Sequence, residues 1–158
     1  MIINKFEWSK DLNEQDILNM EAACNIELPE DYKSFLLVNN GGSVTGKAFT
    51  FLNKSLYPNL PEGQLSQMKY FYSADKDVAE DNKIYTITEN IRYREGRLPK
   101  ETISVGTDEA GNEILLCVSN ENSYRKVFYW DHELEKDIPG FENCTLLANS
   151  FAEFLELL

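Results

Sequence analysis

What most narrows the fold of this chain is the stretch from Thr102 to Trp130. There, three short runs rich in β-branched and aromatic residues, Thr102 to Gly106, Glu113 to Ser119 and Lys126 to Trp130, follow one another across polar turns. Short runs of this composition bounded by turn residues are strands. The first turn, Thr107 to Asn112, offers Asp108, Gly111 and Asn112 to a hairpin, and Asn120 to Arg125 forms a second polar connection. The spacing therefore predicts an antiparallel meander.

Helical signals flank it. Asn13 can cap a helix, with Asp16 three residues on in the position of a capping box and Glu14 adding negative charge to the first turn. Ile17, Met20 and Cys24 then repeat at helical spacing. Pro29 can open a second helix with Tyr32, Phe35 and Leu36 on one face, and Gly41 and Gly42 can close it. At the far end, Ser150 and Glu153 read as a capping box, and Phe151, Phe154, Leu155 and Leu158 fall on one helical face. Between these, Ala48 to Leu52 and Gln67 to Tyr72 read as strands, and Thr86 to Arg94 as a short helix leading into the basic cluster Arg92, Arg94, Arg97 and Lys100. Helices at both ends and strands between them predict an α+β fold, with helices covering one face of a mostly antiparallel sheet. No linker or repeat divides the chain, so residues 1 to 158 form one domain.

Charge narrows the choice of partner. Twenty-seven acidic against 15 basic residues give −12, a field that repels phosphate backbones and so argues against direct nucleic-acid binding. Such a surface speeds encounter with a basic protein, although solubility alone also accounts for it. Cys24, Cys117 and Cys144 are an odd number with no C-x-x-C pair, which suits reduced, mostly buried thiols in a cytoplasmic protein. No run is apolar enough for a membrane span, and the first residues lack the pattern of a secretion signal.

Chemistry is poorly represented. Asp108, Glu109 and Glu113 beside Asn112 miss the ligand spacing of a calcium loop, and His132 is the single histidine, placed where a turn follows a strand. Asn39 to Gly42 follows a helix instead of preceding one, the wrong side for a phosphate loop. Tyr32, Phe35, Trp130, Phe151 and Phe154 suit a core. With no paired acid and base and no activated nucleophile, the expectation is a protein that is not an enzyme and takes no cofactor or metal.

Three blocks carry a family resemblance. Ile26 to Leu36 (Ile-Glu-Leu-Pro-Glu-Asp-Tyr-Lys-Ser-Phe-Leu), followed by Asn39-Asn40-Gly41-Gly42, is the first. Leu98-Pro99, then Ile103 to Asp108 and Gly111 to Ile114, is the second; Val127 to His132 with Ser150-Phe151 and Phe154-Leu155 is the third. Together they resemble the SUKH superfamily, which includes the Smi/Knr-type fungal cell-wall regulators and many bacterial toxin-immunity proteins. Residues 53 to 83 match weakly, and Glu109-Ala110 stands where the family is often glycine-rich. The resemblance implies helices against a strongly curved sheet. It also implies a bacterial immunity protein that binds and neutralises a cognate toxin domain, often a nuclease; the alternative is a regulatory or scaffolding module of the Smi/Knr type without a toxin partner. An acidic face of Asp108, Glu109, Asp131 and Glu133 is the expected contact for a basic toxin. Tyr70, Tyr72, Tyr124 and Tyr129 are expected to assist, tyrosine being common at interface hot spots.

Overall fold

The computed structural model describes residues 2–60, 62–75, 77–119 and 121–158. Asn120, at the start of the second polar connection of the meander, lies outside the described residues. In chain order the elements are β1 (Ile3–Asn4), α1 (Glu14–Cys24), α2 (Glu30–Asn39), β2 (Gly42–Val44), β3 (Ala48–Phe51) and β4 (Gln64–Phe71). A 3-10 turn at Glu80–Tyr85 leads into α3 (Ile87–Tyr93), then come β5 (Thr102–Asp108), β6 (Glu113–Cys117) and β7 (Val127–Trp130). A second 3-10 turn at His132–Leu134, β8 (Cys144–Ala148) and α4 (Phe151–Leu157) complete the order.

All the strands join one antiparallel sheet in the order β1-β2-β4-β5-β6-β7-β8, and β3 pairs with the first half of β4. The predicted meander is β5 to β7, and β8 extends it. Register shifts interrupt the pairing of β4 with β5, β5 with β6 and β7 with β8. Such bulges increase local twist, which bends the sheet. Gly106 lies between two of them; a β-carbon there would come within 2.7 Å of the Tyr70 carbonyl oxygen, so the close approach of β4 to β5 requires glycine.

One face of the sheet carries the main core. Met68, Phe71, Val105, Ile114, Leu116 and Val127 meet Ile17 and Met20 of α1, Tyr32, Phe35 and Leu36 of α2, and Phe151 and Phe154 of α4. The Phe151 ring packs edge-on to Tyr32 and Phe35, with centroids 4.6 and 4.9 Å away. Glu21 ties α1 to α2: its buried carboxylate accepts the Leu28 N–H at 2.6 Å and pairs with Lys33 at 3.1 Å. Trp130, predicted for the interior, is buried, but it belongs to a second, smaller cluster with Leu98 and Leu115 on the opposite face of the sheet. That is why β6 is buried along its whole length.

Two predicted helix ends are built differently. Asn13 and Asp16 form the full capping box. Ser150 does cap α4, but the Glu153 carboxylate turns back to the Asn149 N–H at 2.6 Å instead of that of Ser150. Helix α2 ends on Asn40, in the left-handed region at φ 40°, and Gly42 already begins β2. Asn40 is chosen for more than its backbone, because its buried amide donates to the Lys10 carbonyl and the Asp75 carboxylate and accepts from Ser73 and the Ala74 N–H. The three cysteines are free, with Cys117 buried and the other two partly so.

Candidate partner-binding surface

The eight residues expected at the contact fall in three separate places. Five gather at the end of the sheet where the β5–β6 turn meets the segment after β7. Here the expected acidic face needs correction, because Asp108 and Asp131 are buried and Tyr129 is a core ring. The Asp108 carboxylate accepts from the Ala110 and Asn112 N–H groups at 2.9 and 2.8 Å, and from the Ser66 and Tyr129 hydroxyls, both at 2.9 Å. Asp131 accepts from the Tyr57 hydroxyl at 2.7 Å and from the Glu133 N–H at 2.9 Å. Asp108 is saturated by its donors, and Asp131, buried with a donor on each oxygen, likewise serves its own turn, so neither is presented to a partner. Burial, and next the carboxylates themselves, push the Tyr57 and Tyr129 hydroxyls up, keeping them neutral donors.

Glu109 and Glu133 remain exposed, and the two buried acids determine how they are presented. Asp108 closes the turn that carries Glu109, and Asp131 caps the 3-10 turn that carries Glu133. Asn112 couples the two: its amide donates to Asp108 at 3.0 Å, while its carbonyl accepts the His132 N–H at 3.2 Å and lies 2.8 Å from the His132 ring Nδ1. His132 is thus a turn residue, as its position in the sequence suggests.

Tyr70 and Tyr72 lie elsewhere, beside α3 on the side of the sheet that carries Trp130. Tyr72 is buried, and its hydroxyl donates to Glu113 at 3.0 Å, so it serves as support and does not reach a partner. Tyr70 is half-buried in a ring chain with Tyr72, Tyr85, Phe6 and Trp8, with neighbouring centroids 4.9 to 5.6 Å apart. Burial, and next the charge of Glu113, push its hydroxyl up to about 12. Tyr124 stands alone, beyond β6 and one residue before Arg125, whose guanidinium reaches Asp31 at 3.7 Å.

Sequence reasoning assigns no role to the most elaborate arrangement on this side. Glu113, with no exposed surface, pairs with Arg94 and accepts from the Ser104 hydroxyl as well as from Tyr72. Burial raises its carboxyl above the ordinary glutamate value, and Arg94 opposes that. The guanidinium groups of Arg94 and Arg97 lie 5.9 and 5.7 Å from the Trp130 ring centre, within cation–π range. Arg97 also grips Glu135 through two N–H···O bonds of 2.8 and 2.5 Å. Two grooves flank α3 and share Arg94. One, of about 360 Å³, is lined by Tyr70, Tyr72, Ile84 and Tyr93; the other, of about 690 Å³, by Cys24, Ile91, Leu98 and Lys100. The basic cluster at 92 to 100 is the sequence signal for this region.

Among the described residues, no three His, Cys, Asp or Glu side chains gather as a metal site, and no helix is long and apolar enough to cross a membrane. The architecture defines a class: α+β proteins whose helices shield one face of a bent antiparallel sheet, with grooves and turns presented elsewhere. Within that class the chain belongs to the SMI1/KNR4 family (SUKH-1), whose model matches residues 11–157. Comparison with curated proteins finds no match.

Proposed function

We propose that this protein is an immunity protein: it binds a basic toxin domain, of which a nuclease is the leading candidate, and blocks its working surface inside the producing cell. It acts by occlusion, with no bond made or broken. Family membership over nearly the whole chain, on a molecule of net charge −12, is the observation that carries the reading. A cationic groove built to hold a phosphate backbone is complementary to such a field, which accelerates encounter and excludes wrong partners.

The contact on the immunity protein is the corner carrying Glu109 and Glu133. Turns held by Asp108, Asp131 and Asn112 fix the backbone that carries Glu109 and Glu133 before binding, which lowers the entropy lost on association. The test is stopped-flow association with the toxin domain encoded beside the gene, at low salt. Reversing both charges, Glu109→Lys with Glu133→Lys, is expected to slow association roughly tenfold while leaving the fold intact. Unchanged on-rates would remove this corner from the contact. If affinity purification from the native host returns several host proteins and no toxin, the chain is a regulatory scaffold of the Smi/Knr type.

A further inference from the structure

The charge of this molecule is unevenly distributed. Between Asn90 and Lys100 stand four cations, Arg92, Arg94, Arg97 and Lys100, against the single carboxylate Glu95. This stretch therefore carries +3, which leaves −15 on the rest of a chain whose total is −12. The stretch winds around the C-terminal end of α3, between the two grooves that flank the helix.

Its cations are unequally committed. Arg94 is held by Glu113 and Arg97 by Glu135. Arg92, with 74% of its side chain exposed, pairs with its helical neighbour Glu89, a solvated pair of the kind that contributes little, and Lys100 is exposed and makes no salt bridge among the described residues. The buried Nε of Arg94 has no hydrogen-bond partner among the described residues. Two large apolar groups lie beside these charges in the open, Tyr93 at 76% exposure and Ile84 at 58%. Arginine and tyrosine around a concave surface are the residue types that dominate protein-recognition hot spots.

We infer that this basic ridge is a second docking surface, for an acidic segment of a partner protein that carries an apolar anchor. Carboxylates pair with Arg92 and Lys100, and the anchor packs on Tyr93 and Ile84 along the groove floored by Tyr70. Its two exposed cations, Arg92 and Lys100, are opposite in sign to the corner of Glu109 and Glu133, and the surface is independent of the toxin-binding reading.

The experiment uses the full chain and a fluorescein-labelled Asp- and Glu-rich peptide bearing one Leu and one Phe, followed by fluorescence anisotropy. Saturable binding that weakens as salt rises is expected, with the dissociation constant raised about fivefold or more by Arg92→Glu with Lys100→Glu. Tyr93→Ala is expected to weaken binding separately, and circular dichroism verifies that each variant is folded. Glu109→Lys with Glu133→Lys should leave peptide affinity no weaker, which keeps this result distinct from the fate of the toxin-binding corner. Absence of saturable binding at low salt, or equal binding by the charge-reversed ridge, overturns the inference. So does salt-dependent self-association in sedimentation velocity that the ridge reversal abolishes, because the occupant would then be a second copy of this chain. A labelled single-stranded RNA that binds the ridge more tightly than the peptide overturns it as well.

Discussion

At the scale of single residues, two buried polar groups make opposite demands. The Tyr32 hydroxyl sits in the core with no hydrogen-bond partner among the described residues, and burial drives its ionisation out of reach. An unsatisfied buried hydroxyl costs free energy that phenylalanine does not, so Tyr32→Phe should raise stability by about 1 kcal/mol in urea unfolding. A loss of stability would mean that a bound water satisfies the hydroxyl. Glu113 is the reverse case, fully enclosed yet answered by Arg94, Ser104 and Tyr72. Arg94→Ala strips the counter-charge from a buried carboxylate and should cost about 3 kcal/mol. Because its native carboxyl titrates above the ordinary 4.5, the folded state holds the proton more tightly than the unfolded chain does. Its contribution is therefore fully present below the unfolded value and is lost as pH rises through the native one. Wild-type stability measured against Glu113→Gln should fall with rising pH across that window; a rise there would place the native carboxyl below 4.5 instead.

At the scale of elements, the sheet depends on close strand approach and the helices on their ends. Gly106→Ala forces a methyl group against the Tyr70 carbonyl at a point where β4 and β5 are already out of register. One strand must move, and we expect a loss of about 2 kcal/mol with a lower thermal midpoint. Asn13→Ala removes one half of the capping box of α1 and should cost about 1 kcal/mol, measured the same way. Elements with a strong local code were legible: α1 from its cap and apolar spacing, and β5 to β7 from their composition and turns. The short strands β1, β2 and β8 were not. Ile3 and Asn4 pair with Val44 and Ser43, far away along the chain, and Cys144–Ala148 joins the sheet through its ladder with β7. Segments this short carry no periodicity of their own, and their partners' backbone groups make them strands.

At the scale of the whole molecule, one continuous sheet, with a single large cluster against its helices, should unfold as a unit. Thermal transitions followed by far-ultraviolet circular dichroism and by tryptophan fluorescence are expected to coincide, and separated midpoints would divide the chain into independent units. By itself the sequence determined the α+β class, the antiparallel meander, the helices that cover one face and the family, because these rest on local periodicity, turn chemistry and blocks of contiguous residues. Tertiary structure decided which charges face water. Asp108 and Glu109 are adjacent, yet one is buried among five donors and the other is exposed; Tyr70 and Tyr129 read alike, yet they lie on opposite faces of the sheet. The physical reason is that a polar side chain goes inward where enough donors from distant parts of the chain converge on it, as Ser66, Asn112 and Tyr129 do on Asp108, and that convergence is a property of the folded sheet.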